Sequence, residues 1–340
     1  MKRGHFADLL LSEARFRVAN GTWDEVRALL SSREAEARQH PELVALLAEA
    51  YLWTHSPREA CGWLESTAYE LHRAGDRVAL RKATNLEGVA HFALGELDEA
   101  ERAFYSAFAL GRMDGDDLLL ARALNNLGLI ANIRGKHPEA LAFYRMAIPS
   151  YQRLGQPRGL AETYHNLAIT YRDLGDTQRA EDCERRAMEF ARQASNDRLV
   201  AMAQLGLADL RLLQGDAAFA EAGARRGAEV FASIGDAEGE ANALRVVGVA
   251  ATALGKHEVA GEALERAVAL ASAQGYALVE AESRRASAQL ALARGDVQGA
   301  RAAAHAALEI FERLKSASDT SALREWIASC LEGTEATEPE

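Results

Sequence analysis

The chain is poor in cysteine and aromatic residues, has no long uncharged run and carries no excess of positive charge, and each absence removes a class of protein. Three cysteines in 340 residues, Cys61, Cys183 and Cys330, include no closely spaced pair. That excludes a disulfide framework and a zinc knuckle and fits the reducing cytoplasm, with no metal or other cofactor expected. The longest stretch without a charge, Ala267 to Val279, is too short for a membrane helix and is interrupted by Gln274 and Gly275. After Lys2 and Arg3, Asp8, Glu13, Arg15 and Arg17 break up the apolar run that an export signal needs. The formal net charge of −11 disfavours nonspecific contact with nucleic acid or an anionic membrane. Aromatics at 6% alongside abundant alanine favour helix, and 49% hydrophobic with 26% charged residues is a folded composition. The length suits two average domains or one long repeat array.

What is present is a period. Glycine recurs at 95, 135, 175, 215, 255 and 295, and a second series offset by twenty holds Gly75, Gly115, Gly155, Ser195, Gly235 and Gly275. Glycine supplies the left-handed conformation that ends a helix. Asp76, Asp116, Asp176, Asp216, Asp236 and Asp296 follow directly, where aspartate caps the next helix. Each interval predicts one helix of about fifteen residues, and two such helices form an antiparallel hairpin. Small residues recur on the same period: Ala60, Ala100, Ala140, Ala180, Ala220, Ala260 and Ala300; Gly88, Gly128, Ala168, Ala208, Gly248 and Ala288; and Ala107, Ala147, Ala187, Gly227, Ala267 and Ala307. A mid-helix glycine costs about 1 kcal/mol relative to alanine, so its recurrence implies close helix approach. Leu127, Leu167, Leu207 and Val247, with Phe104, Tyr144 and Leu264, fill the core between these contacts.

The segment Asn126-Leu127-Gly128 with Gly135, Ala140, Tyr144 and Ala147, and its neighbour Asn166-Leu167-Ala168 with Tyr171, Gly175, Ala180 and Ala187, resemble tetratricopeptide repeats. The forty-residue period is similar to the longer-helix variety of kinesin light chains, Leu-Gly-Asn-type adaptors and bacterial signalling regulators. The resemblance implies an all-α, right-handed α-α superhelical solenoid of about eight hairpins. The expected layout is a divergent hairpin over 1–41, turning at Asn20-Gly21 ahead of Trp23 and Val26, and a regular array over 42–319. A capping helix over 320–332 with Leu323, Trp326, Ile327 and Leu331 follows, then a disordered acidic tail over 333–340. Glu87, Arg211 and Ser287 stand where the family has apolar residues, and Pro149 lies inside a helix, where it predicts a kink.

Enzyme signatures are missing. Gly111-Arg112-Met113-Asp114-Gly115 falls on a repeat turn rather than after a strand. His137 and His257 read as solvated turn residues, and the Glu99–Glu101 and Asp114–Asp116 pairs as solvated carboxylates. Cys183 is flanked by Glu181, Asp182 and Glu184, which raise a thiol pKa and make a poor nucleophile.

The surface of the stack remains. First helices of such hairpins line the concave side, where one column reads Asn85, Asn125, His165, Leu205, Arg245 and Arg285, and the next Leu86, Asn126, Asn166, Gly206, Val246 and Ala286. Asn132 and Arg172 lie further along, and Lys82, Arg122 and Glu162 nearer the helix starts. An asparagine amide both donates and accepts, the complement of an extended peptide backbone, and the resemblance implies that role for this column; bonding to a neighbouring helix is the competing use. The expected peptide-binding set is therefore Lys82, Asn85, Arg122, Asn125, Asn126, Asn132, His165, Asn166 and Arg172. Its slight positive balance suits an acidic or C-terminal segment of a partner protein. The Lys–Asn carboxylate clamp of chaperone-binding repeats is absent, because Asn85, Asn125 and His165 are followed one turn later by Val89, Leu129 and Ile169. Leu205, Leu212, Leu213, Val246, Val249 and Leu292 turn the later groove apolar, which suits an amphipathic helix, a second copy or the chain's own cap. The reading that follows is a non-catalytic scaffold. The alternatives are a ligand- or peptide-responsive regulator acting on a separate output protein and a self-assembling structural subunit.

Overall fold

The computed structural model describes residues 2–20 and 22–332. Gly21 of the first turn, the side chain of Leu331 and the acidic tail lie outside the described residues. Every described secondary-structure element is helical, an α-helical solenoid. Two compact units divide it, 1–123 and 124–340, with the division inside one helix. The first unit holds α1 (Lys2–Ala19), α2 (Trp23–Ser31), a one-turn α3 (Glu34–Ala37), α4 (Pro41–Trp53), α5 (Pro57–Ala74), α6 (Arg77–Ala93) and α7 (Leu97–Asp114). Helix α8 (Asp117–Ile133) contains the division. The second unit continues with α9 (His137–Arg153), α10 (Pro157–Asp173), α11 (Thr177–Gln193), α12 (Asp197–Leu213) and α13 (Ala217–Ser233). It ends with α14 (Ala237–Ala253), α15 (His257–Gln274), α16 (Ala277–Ala293), α17 (Val297–Arg313), α18 (Ala317–Ile327) and a π turn (Ala328–Glu332). The extra turn α3 has no counterpart in the sequence pattern. Helix α9 runs on through Pro149.

From α5 to α17 the helices are longer than the spacing suggested, because the turns are minimal. At Gly175, the Gly175 N–H donates to the Arg172 carbonyl and the Asp176 N–H to the Tyr171 carbonyl, both at 2.9 Å, closing one helix. The Asp176 carboxylate then accepts from the Arg179 N–H at 3.0 Å, opening the next. The same capping bond forms at Asp76, Asp116, Asn196, Asp216, Asp236 and Asp296. Left-handed residues fall at every twentieth position from 55 to 315. Three are not glycine: His55 (φ 55°), Ser195 (φ 49°) and Lys315 (φ 54°).

Packing follows a rule of paired sizes. Ala60, Ala100, Ala140, Ala180, Ala220, Ala260 and Ala300 are all fully buried. Within each hairpin, Gly88, Gly128 and Gly248 face Phe104, Tyr144 and Leu264. Ala168, Ala208 and Ala288 occur where the corresponding residue is Glu184, Ala224 or Ala304. A Cβ at Gly128 would lie 2.5 Å from the Tyr144 ring. Successive hairpins repeat the rule with a second pair. Tyr151 packs on Gly159 and Phe231 on Gly239, whereas Ala191 shares a cluster with Leu199 and Ala271 with Val279. Bare backbone opposite each large ring or leucine lets the side chain pack without parting the two helices. In the second unit α10 touches α12, α12 touches α14 and α14 touches α16, and each second helix packs between the first helices that flank it. The first helices therefore form the inner layer. Leu323 and Ile327 of α18 are buried, and α18 packs on α17.

Alanine is the better helix former by about 1 kcal/mol, yet Gly248→Ala is expected to destabilise the fold by about 1–3 kcal/mol, because its methyl would overlap Leu264. In a Leu264→Ala background the same change should become neutral or favourable, as urea denaturation would read. Ser195→Gly relieves a left-handed non-glycine residue and should stabilise by about 1 kcal/mol.

Candidate functional site

The inner layer of the second unit carries most of the expected binding residues, and their bonds divide them into two groups. Asn125 and Asn132 are buried, at 7% and 8% exposure. The Asn166 amide donates to Asn125 Oδ1 at 3.3 Å. Asn132 Oδ1 accepts from the Thr170 hydroxyl at 2.7 Å and from His137 Nδ1 at 3.1 Å, while its own amide donates to Asp173 at 3.0 Å. Arg172 donates to Asp209 at 2.7 Å and to Asp173 at 2.9 Å. His165 Nδ1 faces both oxygens of Glu184, at 3.0 and 3.1 Å. The pattern continues along the layer, with Arg245 paired to Glu282 at 3.2 Å and Arg285 to Asp319 at 2.7 Å. Polar side chains thus tie each inner helix to the next, and the residues expected to meet a ligand are largely spent on that task.

Asn126 differs. It is half-buried and its side chain makes no hydrogen bond among the described residues, and the side-chain oxygen Oδ1 of Asn166 accepts none either. These two amides occupy the same register on α8 and α10. In the first unit, Lys82 pairs with Glu49 at 2.6 Å, Asn85 has a buried Oδ1 without a partner, and Arg122 is exposed without an ion pair among the described residues.

The charge balance in the second unit departs from expectation. Burial opposes the Arg172 charge, but Asp209, Asp173 and Glu282 outweigh it and push its pKa further up, so the guanidinium is held within the protein. Glu184 lies behind, and no positive excess remains there. The apolar stretch is also smaller than its sequence suggests. Val246 is fully buried among Ala224, Val247 and Ala263 and so faces the core, not the groove. Leu213 is exposed, and Leu205, Leu212, Val249 and Leu292 are half-buried.

Of the candidate chemical groups, Asp114 and Asp116 are not simply solvated. Asp114 binds Arg77 and Arg81, whose hydrogen bonds hold its carboxyl below the usual range, while Asp116 caps α8 and pairs with Arg81 at 3.1 Å. His137 and His257 are the first residues of α9 and α15 rather than turn residues, and both are half-buried. Burial, before any charge, pushes the Cys183 thiol up to about 11. A cluster that the sequence did not reveal joins Cys61, His91 and Glu96. Cys61 Sγ lies 3.9 Å and Glu96 Oε2 2.7 Å from the same ring nitrogen of His91. A base that activates a thiol needs one nitrogen for each partner, and burial pushes Cys61 up to about 12, so this cluster does not make a nucleophile. Among the described residues no group of three or more His, Cys, Asp or Glu side chains could hold a metal ion, and no described helix is long and apolar enough to cross a membrane.

A family model of the tetratricopeptide repeat matches residues 80–153 and 119–193. Among solved structures, a Rap protein complexed with competence and sporulation factor matches at 15% identity over 98% of this chain and 99% of that one, with a TM-score of 0.63. The Rap conjugation gene regulator of plasmid pLS20, in complex with a Phr peptide, matches at 13% over 94% and 97%, with 0.66. Aspartyl phosphate phosphatase F from Bacillus subtilis matches at 14% over 79% and 69%, with 0.60. At these identities the likeness is one of fold.

Burial raises Glu184 above the usual carboxylate range, although His165 and Arg172 oppose the shift. The folded state then keeps a proton that the unfolded chain gives up, so this group's stabilising contribution falls as pH rises from the unfolded value through the folded one. Glu184→Gln should flatten that decline, read as a smaller loss of Tm than wild type between about pH 5 and about pH 8.

Proposed function

Because the chain is a tetratricopeptide-repeat protein, we propose that it is a non-catalytic interaction scaffold that holds an extended segment of a partner protein on the inner layer of its second unit. The observation that carries this reading is the pair of amides at Asn126 and Asn166. In a layer where Asn125, Asn132 and Arg172 are bonded across the helices, these two amides keep unspent capacity, in register on successive inner helices. A peptide main chain offers alternating donors and acceptors, which such amides match. The bonded residues around them keep the surface preorganised, which lowers the ordering cost of binding. Of two structures of similar fold, one is a complex with competence and sporulation factor and one a complex with a Phr peptide, which supports a polypeptide ligand. Recognition through the main chain needs no acidic ligand, and within the second unit Arg172 is already paired. Action in the cytoplasm is part of the same reading.

A regulator that changes shape on binding is favoured by a separate observation. The candidate contacts adjoin the bonds that join successive inner helices, from Asn132–Asp173 to Arg172–Asp209, so a ligand competing for one of these groups would alter the spacing of neighbouring hairpins.

Affinity capture from the source cell, with helix content checked by circular dichroism, tests the scaffold reading. Asn126→Ala with Asn166→Ala should lower affinity for the retained partner by about 10–100-fold, the worth of two or three hydrogen bonds. Unchanged capture by a folded double variant would remove the inner layer as the binding surface.

A further inference from the structure

Glu184 stands where other hairpins place Phe104, Tyr144 or Leu264 in the core. Its side chain is 2% exposed. The carboxylate lies against the backbone of Gly206 on α12, where any side chain would overlap it, so the glycine at 206 makes room for the acid. Both carboxylate oxygens face Nδ1 of His165. The other ring nitrogen, Nε2, has no hydrogen-bond partner and is not among the buried unpaired atoms. The imidazole keeps 15% of its exposure, on the inner layer beside Asn166. A carboxylate fully withdrawn from water behind a partly exposed imidazole is costly for a scaffold to keep, and it controls which nitrogen carries the proton.

The structure assigns Glu184 as a positioning residue that fixes the tautomer of His165, so that Nε2 meets the groove ligand as a hydrogen-bond acceptor until one proton taken up by the pair makes the same atom a donor. The inference rests on the inner layer being the binding surface and names the chemistry of one contact in it. With the carboxylate ionised and the imidazole neutral, the ring hydrogen sits on Nδ1, toward Glu184, and the lone pair is left on Nε2. One added proton gives either an imidazolium beside a carboxylate or a carboxylic acid donating to Nδ1 with the ring hydrogen on Nε2. Both forms present an N–H at Nε2, so the outcome is the same wherever the proton resides. The other groups acting on the pair are Arg172 on α10 and Asp209 on α12, with the Cys183 thiol adjoining on α11; Asn125 and Asn126 on α8 are neutral. The contact therefore selects a main-chain N–H or another donor while the pair carries its single negative charge, and a carbonyl or carboxylate after proton uptake.

The test needs no ligand. Long-range proton–nitrogen spectra of the full 15N-labelled chain, with His165 assigned through His165→Gln, report the state of each ring nitrogen across pH. The expected result is a bare, pyridine-type Nε2 and a protonated Nδ1 at the alkaline end, with a hydrogen gained at Nε2 in one step as pH falls. In Glu184→Gln the Nε2-protonated tautomer should appear already at the alkaline end, because a neutral amide satisfies either nitrogen. Diethyl pyrocarbonate, which attacks a bare imidazole nitrogen, should modify His165 in the wild type and do so several-fold more slowly in the variant, by peptide mass spectrometry. An Nε2-protonated tautomer in alkaline wild type would overturn the assignment, as would a Glu184→Gln spectrum indistinguishable from it. Either result with partner capture still dependent on Asn126 and Asn166 would leave the binding reading intact. A correct tautomer with capture indifferent to those amides would remove the binding reading alone.

Discussion

The fold depends on helix backbones approaching so closely that volume must be shared between facing positions. Where Phe104, Tyr144 or Leu264 projects, the opposite helix has a glycine; the junctions that bury Tyr151 and Phe231 do the same at Gly159 and Gly239. Elsewhere an alanine takes the glycine's part, as where Ala191 shares a cluster with Leu199. The glycines let these helices approach closely, and in the second unit the first helices contact one another as an inner layer on which the same column of side chains recurs. Each glycine gives up helix propensity for this contact, and the contact returns more than it costs because it buries a large ring or a leucine.

On that layer the polar residues do two different jobs. Bonds such as Arg172–Asp209 and Arg245–Glu282 join one repeat to the next, a use in which partly buried charges are balanced by well-placed partners. The Asn126 side chain and Oδ1 of Asn166 are left over from this arrangement, and the proposed binding rests on them. Glu184 is the exception in its column, which otherwise holds no ionised side chain. Its burial is tolerated through His165 on one side and the bare backbone of Gly206 on the other. A polar pair maintained in a core column at such a cost marks a function other than packing.

The regularity of the array was legible in the sequence because glycine and aspartate act locally: one ends a helix and the other starts the next, wherever they stand. His55 and Lys315 adopt the same left-handed turn without a glycine to mark it, whereas Ser195 was placed by the period alone. The inner face was legible as a face but not as a set of contacts. Helical periodicity places a residue within a broad sector, and a small rotation separates the groove from the interface between helices. Asn125 and Val246 fell on the buried side of that line. The bonds that consume Asn132 and Arg172 join residues about a repeat apart, a distance over which sequence alone specifies no partner. Glu184 stood out in the sequence only as an acidic neighbour of Cys183, because its reach to His165 requires the crossing of two helices. Nothing local marks the division of the array inside α8.

The side-chain amide resonances of the asparagines test the central claim most directly. On titration of a captured partner peptide into the labelled protein, the NH2 signal of Asn126 should shift and become protected and that of Asn166, whose oxygen takes the new bond, should shift, while those of Asn132, already bonded on both sides, stay in place. Movement confined to residues on the second helices, with Asn126 and Asn166 unchanged, would contradict the account.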